Sequence, residues 1–252
     1  MLGYEQMGSG KMGVVVLHDW MCDSSSWRTV RQYLNKDEFA WIFVDLRGYG
    51  MSLSQRGDYT VEEAAADVLA LTETFDMQRL VVIGHSMSSL VALHLAQTSN
   101  RFERAVLVCP NPPRGLGVDE TLLSRLIAVA KGDDTLRMQA IMYTLGDRLS
   151  EGWARYKVAR WRATSDSNAV AGYVHLFAVN GVPNPEATAA IPILAVTGEQ
   201  DAPSMRGGSV KDYFAPICPQ LTIASIAECG HYPMQETPPL LATIIERFLH
   251  SV

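Results

Sequence analysis

Six short apolar runs, at residues 13–18, 40–45, 79–84, 104–109, 191–197 and 221–225, constrain the fold more than any other feature of this chain. Each closes on turn residues such as Gly, Asp or Pro. Unbroken apolar runs of this length suit strands buried on both faces, which is the situation in a parallel sheet. Helical patterns separate most of them. Thr60-Val61-Glu62-Glu63 reads as a capping box, after which Val61, Ala65, Val68, Leu71 and Phe75 recur at helical spacing. Leu241, Ile244, Ile245 and Phe248 form the apolar face of a C-terminal helix that begins near Pro238-Pro239. Strands alternating with helices predict an α/β fold with a doubly wound, mostly parallel sheet. The alternation breaks across residues 111–190, where Leu122, Leu123, Leu126 and Ile127, then Trp153, Tyr156, Lys157 and Trp161, mark helices without strands between them. The expected organisation is a core domain of residues 1–110 and 191–252 interrupted by a helical cap at 111–190.

Composition narrows the function classes. The 252 residues are 48% hydrophobic and 19% charged, enough to bury a sizeable core. A net charge of −6 opposes a surface that tracks phosphates, so no nucleic acid is expected as partner. The first residues lack the basic start and apolar run of a signal peptide, and no apolar stretch approaches the roughly 20 residues that span a bilayer. The expected location is cytoplasmic, with no membrane association. Cys22, Cys109, Cys218 and Cys229 show no zinc-type pairing and read as buried thiols. The histidines and acids do not fall at metal-ligand spacings, and no Gly-rich phosphate loop is present, so neither metal nor nucleotide cofactor is expected.

The segment Val81-Val82-Ile83-Gly84-His85-Ser86-Met87-Ser88 carries the chemistry. An apolar strand enters Gly-x-Ser-x-small and leaves as an apolar helix, the context of a nucleophile elbow. A sharp turn there exposes the Ser86 hydroxyl, and the Met87 backbone N–H at the helix start is placed to donate to an oxyanion. The same letters also fit an ordinary serine in a strand–helix turn.

The chain as a whole resembles the α/β-hydrolase superfamily. Residues 14–20, Val-Val-Val-Leu-His18-Asp19-Trp20, are similar to the strand and turn that supply the family's oxyanion hole. Asp45-Leu46-Arg47-Gly48-Tyr49-Gly50-Met51-Ser52 resembles the Asp-x-Arg-Gly-x-Gly-x-Ser segment, and residues 84–88 resemble the elbow. Gly198-Glu199-Gln200-Asp201 resembles the strand-end acid turn, and Gly230-His231-Tyr232-Pro233 the histidine loop before the last helix. Two positions depart from the pattern: Asp19 and Ser88 stand where glycine is usual. Asp tolerates left-handed backbone angles, so the turn is expected to survive, with the Asp19 carboxylate pointing away from the oxyanion.

The resemblance implies Ser86 as nucleophile, His231 as base and Asp201 as the acid that orients it, in the Ser…Asp…His order of this fold. Glu199 is the alternative acid. Asp45 reads as a strand-end residue, and the family's other acid position holds Asn111. The N–H groups of Trp20 and Met87 are the expected oxyanion donors. His18, Asp19, Met21, His85 and Tyr232 adjoin the motifs and are candidate pocket residues, with Trp153 and Trp161 from the cap. Tyr143, Tyr156, Met138, Met142 and Phe177 are further cap candidates, each as easily part of the cap's own core. The basic residues Arg155, Lys157, Arg160 and Arg162 read as a solvated helix face. The expected reaction is hydrolysis of a small to medium apolar carboxylic ester through an acyl-enzyme. Lactonase and carbon–carbon bond hydrolase are the nearest alternatives. A lid-signalling ligand sensor and a cofactor-free oxygenase are alternatives of other classes. Serine at position 86 disfavours epoxide hydrolase and haloalkane dehalogenase, which resemble this fold with Asp there.

Overall fold

The computed structural model describes residues 1–145 and 148–251. Seven strands, β1 (Gly3–Met7), β2 (Met12–Leu17), β3 (Phe39–Asp45), β4 (Arg79–His85), β5 (Arg104–Val108), β6 (Ile193–Gly198) and β7 (Leu221–Ile226), form one sheet in the order β1-β3-β2-β4-β5-β6-β7. All neighbours are parallel except β1 and β3. The six apolar runs therefore became β2 to β7. The strand that no apolar run announced is β1, whose Gly-Tyr-Glu-Gln-Met sequence is largely half-buried at the sheet edge. An edge strand that is only half-buried carries polar residues and loses the continuous apolar signature.

The helices follow in chain order as α1 (Arg28–Arg31), α2 (Val61–Thr72), α3 (Met87–Thr98), α4 (Glu120–Lys131), α5 (Asp134–Tyr143), α6 (Glu151–Thr164), α7 (Ser167–His175), α8 (Gly207–Phe214), α9 (Pro233–Glu236) and α10 (Pro238–His250). The Thr60 side chain caps α2 by accepting from the Glu63 N–H, as the capping box predicts. Helices α4 to α7 lie between β5 and β6. They are fastened to the core through the Trp20 indole, which donates to the Val170 carbonyl at 2.7 Å, and through the Asp166 N–H, which donates to the Gly48 carbonyl at 2.8 Å. Among the described residues no helix is long and apolar enough to cross a membrane.

The strand order places one crevice. From β2 the chain moves outward to β3, then returns to the other side of β2 as β4, so the direction of winding reverses between β2 and β4. Leu17 at the end of β2 is in register with Gly84 near the end of β4. The residues that follow, His18-Asp19-Trp20 and His85-Ser86-Met87, consequently emerge side by side at the carboxyl edge. Ligands of open α/β sheets bind at such a reversal.

Candidate active site

Ser86 sits where β4 turns into α3, with φ 54° and ψ −117°. That backbone region favours glycine, so a serine there is strained and held by its surroundings. The hold is visible. The Ser86 N–H donates to the Val108 carbonyl at 2.9 Å, and a Cβ on Gly84 would lie 2.1 Å from the Ser88 carbonyl oxygen. Only glycine lets β4 and α3 approach this closely. Ser88, where the family pattern has glycine, donates its hydroxyl to the His18 carbonyl and ties the elbow to the neighbouring turn. The substitution thus supplies a bond that glycine lacks.

His231 lies in the loop between β7 and α9. Its Nδ1 is 2.7 Å from Asp201 Oδ2, and Asp201 Oδ1 accepts from the Ala202 N–H at 2.7 Å. Glu199 is turned elsewhere, its carboxylate accepting from the Gly207 N–H at 3.2 Å. Of the two acids offered by the sequence, it is Asp201 that meets His231. His85, the residue before the elbow serine, is bonded through Nε2 to the His231 carbonyl at 2.7 Å, and the two rings lie 5.0 Å apart. This bond brings the β4 elbow and the β7–α9 loop together. Among the described residues no hydrogen bond joins the Ser86 hydroxyl to the imidazole, and with Nδ1 held by Asp201, Nε2 is the nitrogen left to meet it. Such bonds tighten commonly only when substrate is bound. Ser86, His231 and Asp201 are all buried, and Ser86 at 8% is the most exposed of them.

Neither the Trp20 nor the Met87 backbone N–H finds an acceptor among the described residues. Burial works against a charge on His231. Asp201, through charge and hydrogen bond, outweighs it, with Asp19 and Glu236 adding to the same effect, so the imidazole pKa stands above its ordinary value. His85 is the opposite case: burial pushes its pKa down to about 3, so it is neutral.

Several expectations need correction. Asp19 does not adopt a left-handed backbone; among the described residues the positive-φ residues other than glycine are Tyr59, Ser86 and Cys109. Nor is its carboxylate turned out of the site. Asp19 is 1% exposed, with Oδ2 accepting from the Met21 N–H at 3.3 Å and Oδ1 facing His85 Nδ1 at 4.0 Å. Burial opposes its ionisation, yet Lys157 first and then the neighbouring histidines hold its pKa below the ordinary carboxylate value. The basic face of α6 divides. Arg155 and Arg162 are exposed and paired with Glu151 and Asp134. Arg160 bonds Ser25 at 2.8 Å and Asp23 at 3.4 Å, pinning α6 to the loop after β2. Lys157 is fully buried, its Nζ 4.2 Å from the centroid of the Tyr232 ring. Trp153, Lys157 and Trp161 recur every fourth residue and so share the inward face of α6. A cation within an otherwise aromatic stripe reads as solvated from sequence, because burial depends on what the helix packs against.

Of the pocket candidates, Met21, His85 and Tyr232 gather around Asp19, with the Tyr232 hydroxyl 3.2 Å from Met21 Sδ. Trp153 packs on Tyr232 at 5.3 Å between ring centroids. Trp161 lies deeper, 5.2 Å from Trp20, with Phe177 at the same distance on Trp20. His18 is a brace of the turn: its Nε2 accepts from the Leu46 N–H at 3.1 Å and its Nδ1 meets the Asp19 carbonyl at 2.7 Å. Tyr143 and Tyr156 are 73% and 55% exposed and face away. Met138 and Met142 pack on the core.

One contributor was not singled out from sequence. The Glu236 carboxylate accepts from both the Gly230 N–H (2.9 Å) and the Tyr232 N–H (2.8 Å), so it clamps the backbone on either side of His231. Arg148 pairs with the same carboxylate. A first-turn glutamate reaching back across a Pro-started helix is the signal that marks it. His85, Cys109 and His231 also bring one ligand-type atom each within 4.8 Å of one another, a proximity that linear spacing conceals. A metal held there would take the imidazole that Asp201 orients. The four cysteines are buried free thiols, and burial pushes Cys22 up to about 11 and Cys229 up to about 12, so neither is a thiolate nucleophile.

Residues 14–244 match the model of the alpha/beta hydrolase family. The chain spans only part of the curated relatives it matches. It aligns with 64% of the length of a Synechocystis sp. protein at 27% identity, using 66% of this chain. It aligns with 37% of a non-heme chloroperoxidase from Streptomyces lividans at 34% identity, using 40% of this chain. Among solved structures it resembles a bromoperoxidase from Bacillus anthracis (TM-score 0.86, 22% identity, 98% of this chain and 95% of that one). An esterase from Exiguobacterium antarcticum has the same TM-score at 17% identity, covering 99% of this chain and 96% of the other. The enol-lactonase from Burkholderia xenovorans gives TM-score 0.81 at 20% identity, covering 99% and 96%. At these identities the structural likeness carries the fold alone.

Proposed function

The chain belongs to the alpha/beta hydrolase family, and on that premise we propose that it is a serine hydrolase that cleaves carboxylic esters by way of an acyl-enzyme. The observation that carries this reading is the 2.7 Å contact between His231 Nδ1 and Asp201 in a loop bonded to the residue beside the strained Ser86. A serine hydroxyl is a weak nucleophile until a base takes its proton during attack. With Nδ1–H donated to Asp201, Nε2 of His231 is a lone pair available for that proton. Ser86 Oγ then bonds the ester carbonyl carbon, and the carbonyl oxygen becomes an oxyanion received by the Trp20 and Met87 N–H groups. Collapse breaks the bond to the alkoxy group, which leaves as the alcohol with the proton from His231. Water, deprotonated by His231, attacks the acyl-Ser86 carbonyl carbon; the bond to Ser86 Oγ breaks, the acid leaves, and His231 returns the proton to the serine oxygen. Helices α4 to α7 serve in this reading as the cap over the site. A lactone differs only in keeping its leaving alcohol tethered, so lactone hydrolysis is the same chemistry.

The test is twofold. A fluorophosphonate probe is expected to label Ser86, and p-nitrophenyl esters of increasing acyl length, alongside a lactone panel, are expected to be turned over. A labelled peptide from elsewhere, or no hydrolysis of either panel, overturns the reading.

The charges around His231 predict a pH dependence. Attack requires a neutral imidazole, so kcat/KM is expected to fall as pH drops through the raised His231 pKa. Asp201, Asp19 and Glu236 raise that value, while burial opposes it. Asp19→Asn removes one of the raising charges and is expected to move the acid limb of the profile to lower pH. An unmoved midpoint would remove Asp19 from the electrostatics of the base.

A further inference from the structure

Three polar atoms beside the proposed catalytic residues are buried and without a hydrogen-bond partner among the described residues: Lys157 Nζ, Asp19 Oδ1 and His85 Nδ1. Their residues are 0%, 1% and 0% exposed. They come from α6, the turn after β2 and the end of β4, and Tyr232 connects them. Its ring centroid lies 4.2 Å from Lys157 Nζ and 5.6 Å from the His85 ring, and Asp19 Oδ1 lies 4.0 Å from His85 Nδ1. Unpaired polar groups at this depth are expensive, which leaves an unmet demand for specific partners.

The identity of each atom defines what would meet that demand. The Lys157 ammonium only donates. His85 Nε2 faces the His231 carbonyl, which only accepts, so Nε2 carries the proton of the neutral ring and Nδ1 is a bare acceptor. Asp19 Oδ1 is also an acceptor. Two acceptors therefore face one another 4.0 Å apart, with the Lys157 ammonium against the Tyr232 ring and acting on Asp19 more strongly than any other charge. The charges of Asp19 and Lys157 cancel and His85 adds none. A substrate carboxylate drawn to Lys157 would meet Asp19, and a substrate ammonium drawn to Asp19 would meet Lys157. Each loses by repulsion much of what it gains. A neutral hydroxyl meets neither penalty. Its oxygen accepts from Lys157, and its O–H donates to Asp19 or His85.

We propose that Lys157, Asp19 and His85 form a specificity subsite for a neutral hydroxyl group on the substrate, so that the preferred substrates are hydroxyl-bearing esters or lactones. The proposal rests on the reading of this crevice as the substrate site. It revises the purely apolar pocket expected from sequence, adding a polar end to its aromatic wall. A hydrogen bond to a charged group contributes about 1.5–3 kcal/mol, which is roughly a tenfold or greater preference in binding.

The experiment measures binding to the Ser86→Ala protein, where ligand persists whatever the role of Ser86. Dissociation constants are compared by calorimetry for benzyl butyrate, benzyl 2-hydroxybutyrate, benzyl 3-hydroxybutyrate and monobenzyl succinate. At least one hydroxy ester is expected to bind about tenfold tighter than the butyrate, with the succinate no better than the butyrate. In Ser86→Ala/Lys157→Met and Ser86→Ala/Asp19→Asn that ratio is expected to fall towards one. Methionine is close to lysine in shape but leaves Asp19 without its counter-charge, a destabilising loss, so melting curves check the fold and the Asp19→Asn pair carries the same test independently. Equal binding of hydroxy and plain esters, or a preference unchanged in both variants, overturns the subsite. Tightest binding of the succinate overturns the neutral-hydroxyl reading and makes Lys157 an anion receptor. Fluorophosphonate labelling of the wild-type chain is run in parallel. Labelling at Ser86 without hydroxyl preference sinks this inference alone, and hydroxyl preference without labelling sinks the nucleophile alone.

Discussion

Ser86→Ala is expected to reduce ester turnover by about a millionfold, the scale on which loss of an activated serine is felt. What remains would come from the Trp20 and Met87 N–H groups and from binding, which act without a nucleophile. The fold should be untouched, because the backbone at position 86 is held by the bond to Val108 and by the close approach of Gly84 to Ser88, not by the serine hydroxyl. A second substitution separates strain from chemistry. Alanine keeps a Cβ at φ 54°, whereas glycine accepts that angle freely. Ser86→Gly is therefore expected to be as inactive as Ser86→Ala but more stable by about 1 kcal/mol, a rise in Tm of about 2–4 °C. Turnover retained in either variant removes Ser86 from its role. A Tm for Ser86→Gly at or below that of the alanine variant removes the strain.

The second large effect is expected at Asp201→Asn, with turnover falling by about ten-thousandfold while the melting curve stays cooperative. Both oxygens of Asp201 accept hydrogen bonds, one from the Ala202 N–H and one from His231 Nδ1, each at 2.7 Å. An asparagine satisfies one of them with its carbonyl oxygen and presents an NH2 to the other. If the oxygen stays with Ala202, the amide donates to Nδ1, which must then give up its proton. Nε2 is then protonated and faces Ser86 as a donor, unable to receive the serine proton. Glu199 does not compensate, since its carboxylate is engaged at the start of α8. Steady-state kinetics beside thermal melting check the result. Activity within tenfold of wild type in a folded Asp201→Asn protein would show that another group orients the base.

Much of the architecture was legible because its signals are local. An unbroken apolar run marks a strand covered on both faces, and a Thr60–Glu63 box marks a helix start, wherever in space they end up. The one strand that escaped, β1, lies at the edge, where half-burial accommodates Glu5 and Gln6 and leaves no continuous apolar run. The candidate catalytic residues were legible for a related reason. A nucleophile elbow, an acid turn and a histidine loop each need particular residues at short range, such as Gly84 where a side chain would collide with the Ser88 carbonyl.

By itself, then, the sequence determined the parallel sheet, the order of its elements and the identities of Ser86, Asp201 and His231 as candidates, since each is announced within a few residues of its own position. Tertiary structure alone put Asp201, and not Glu199, against His231, turned Asp19 into the site, and buried Lys157 between Tyr232 and Trp153 while leaving Arg155 and Arg162 outside. These outcomes depend on which surfaces meet. A lysine on a helix is indistinguishable from its solvated neighbours until that helix is laid against another wall, and the electrostatics of a buried charge belong to the whole enclosure.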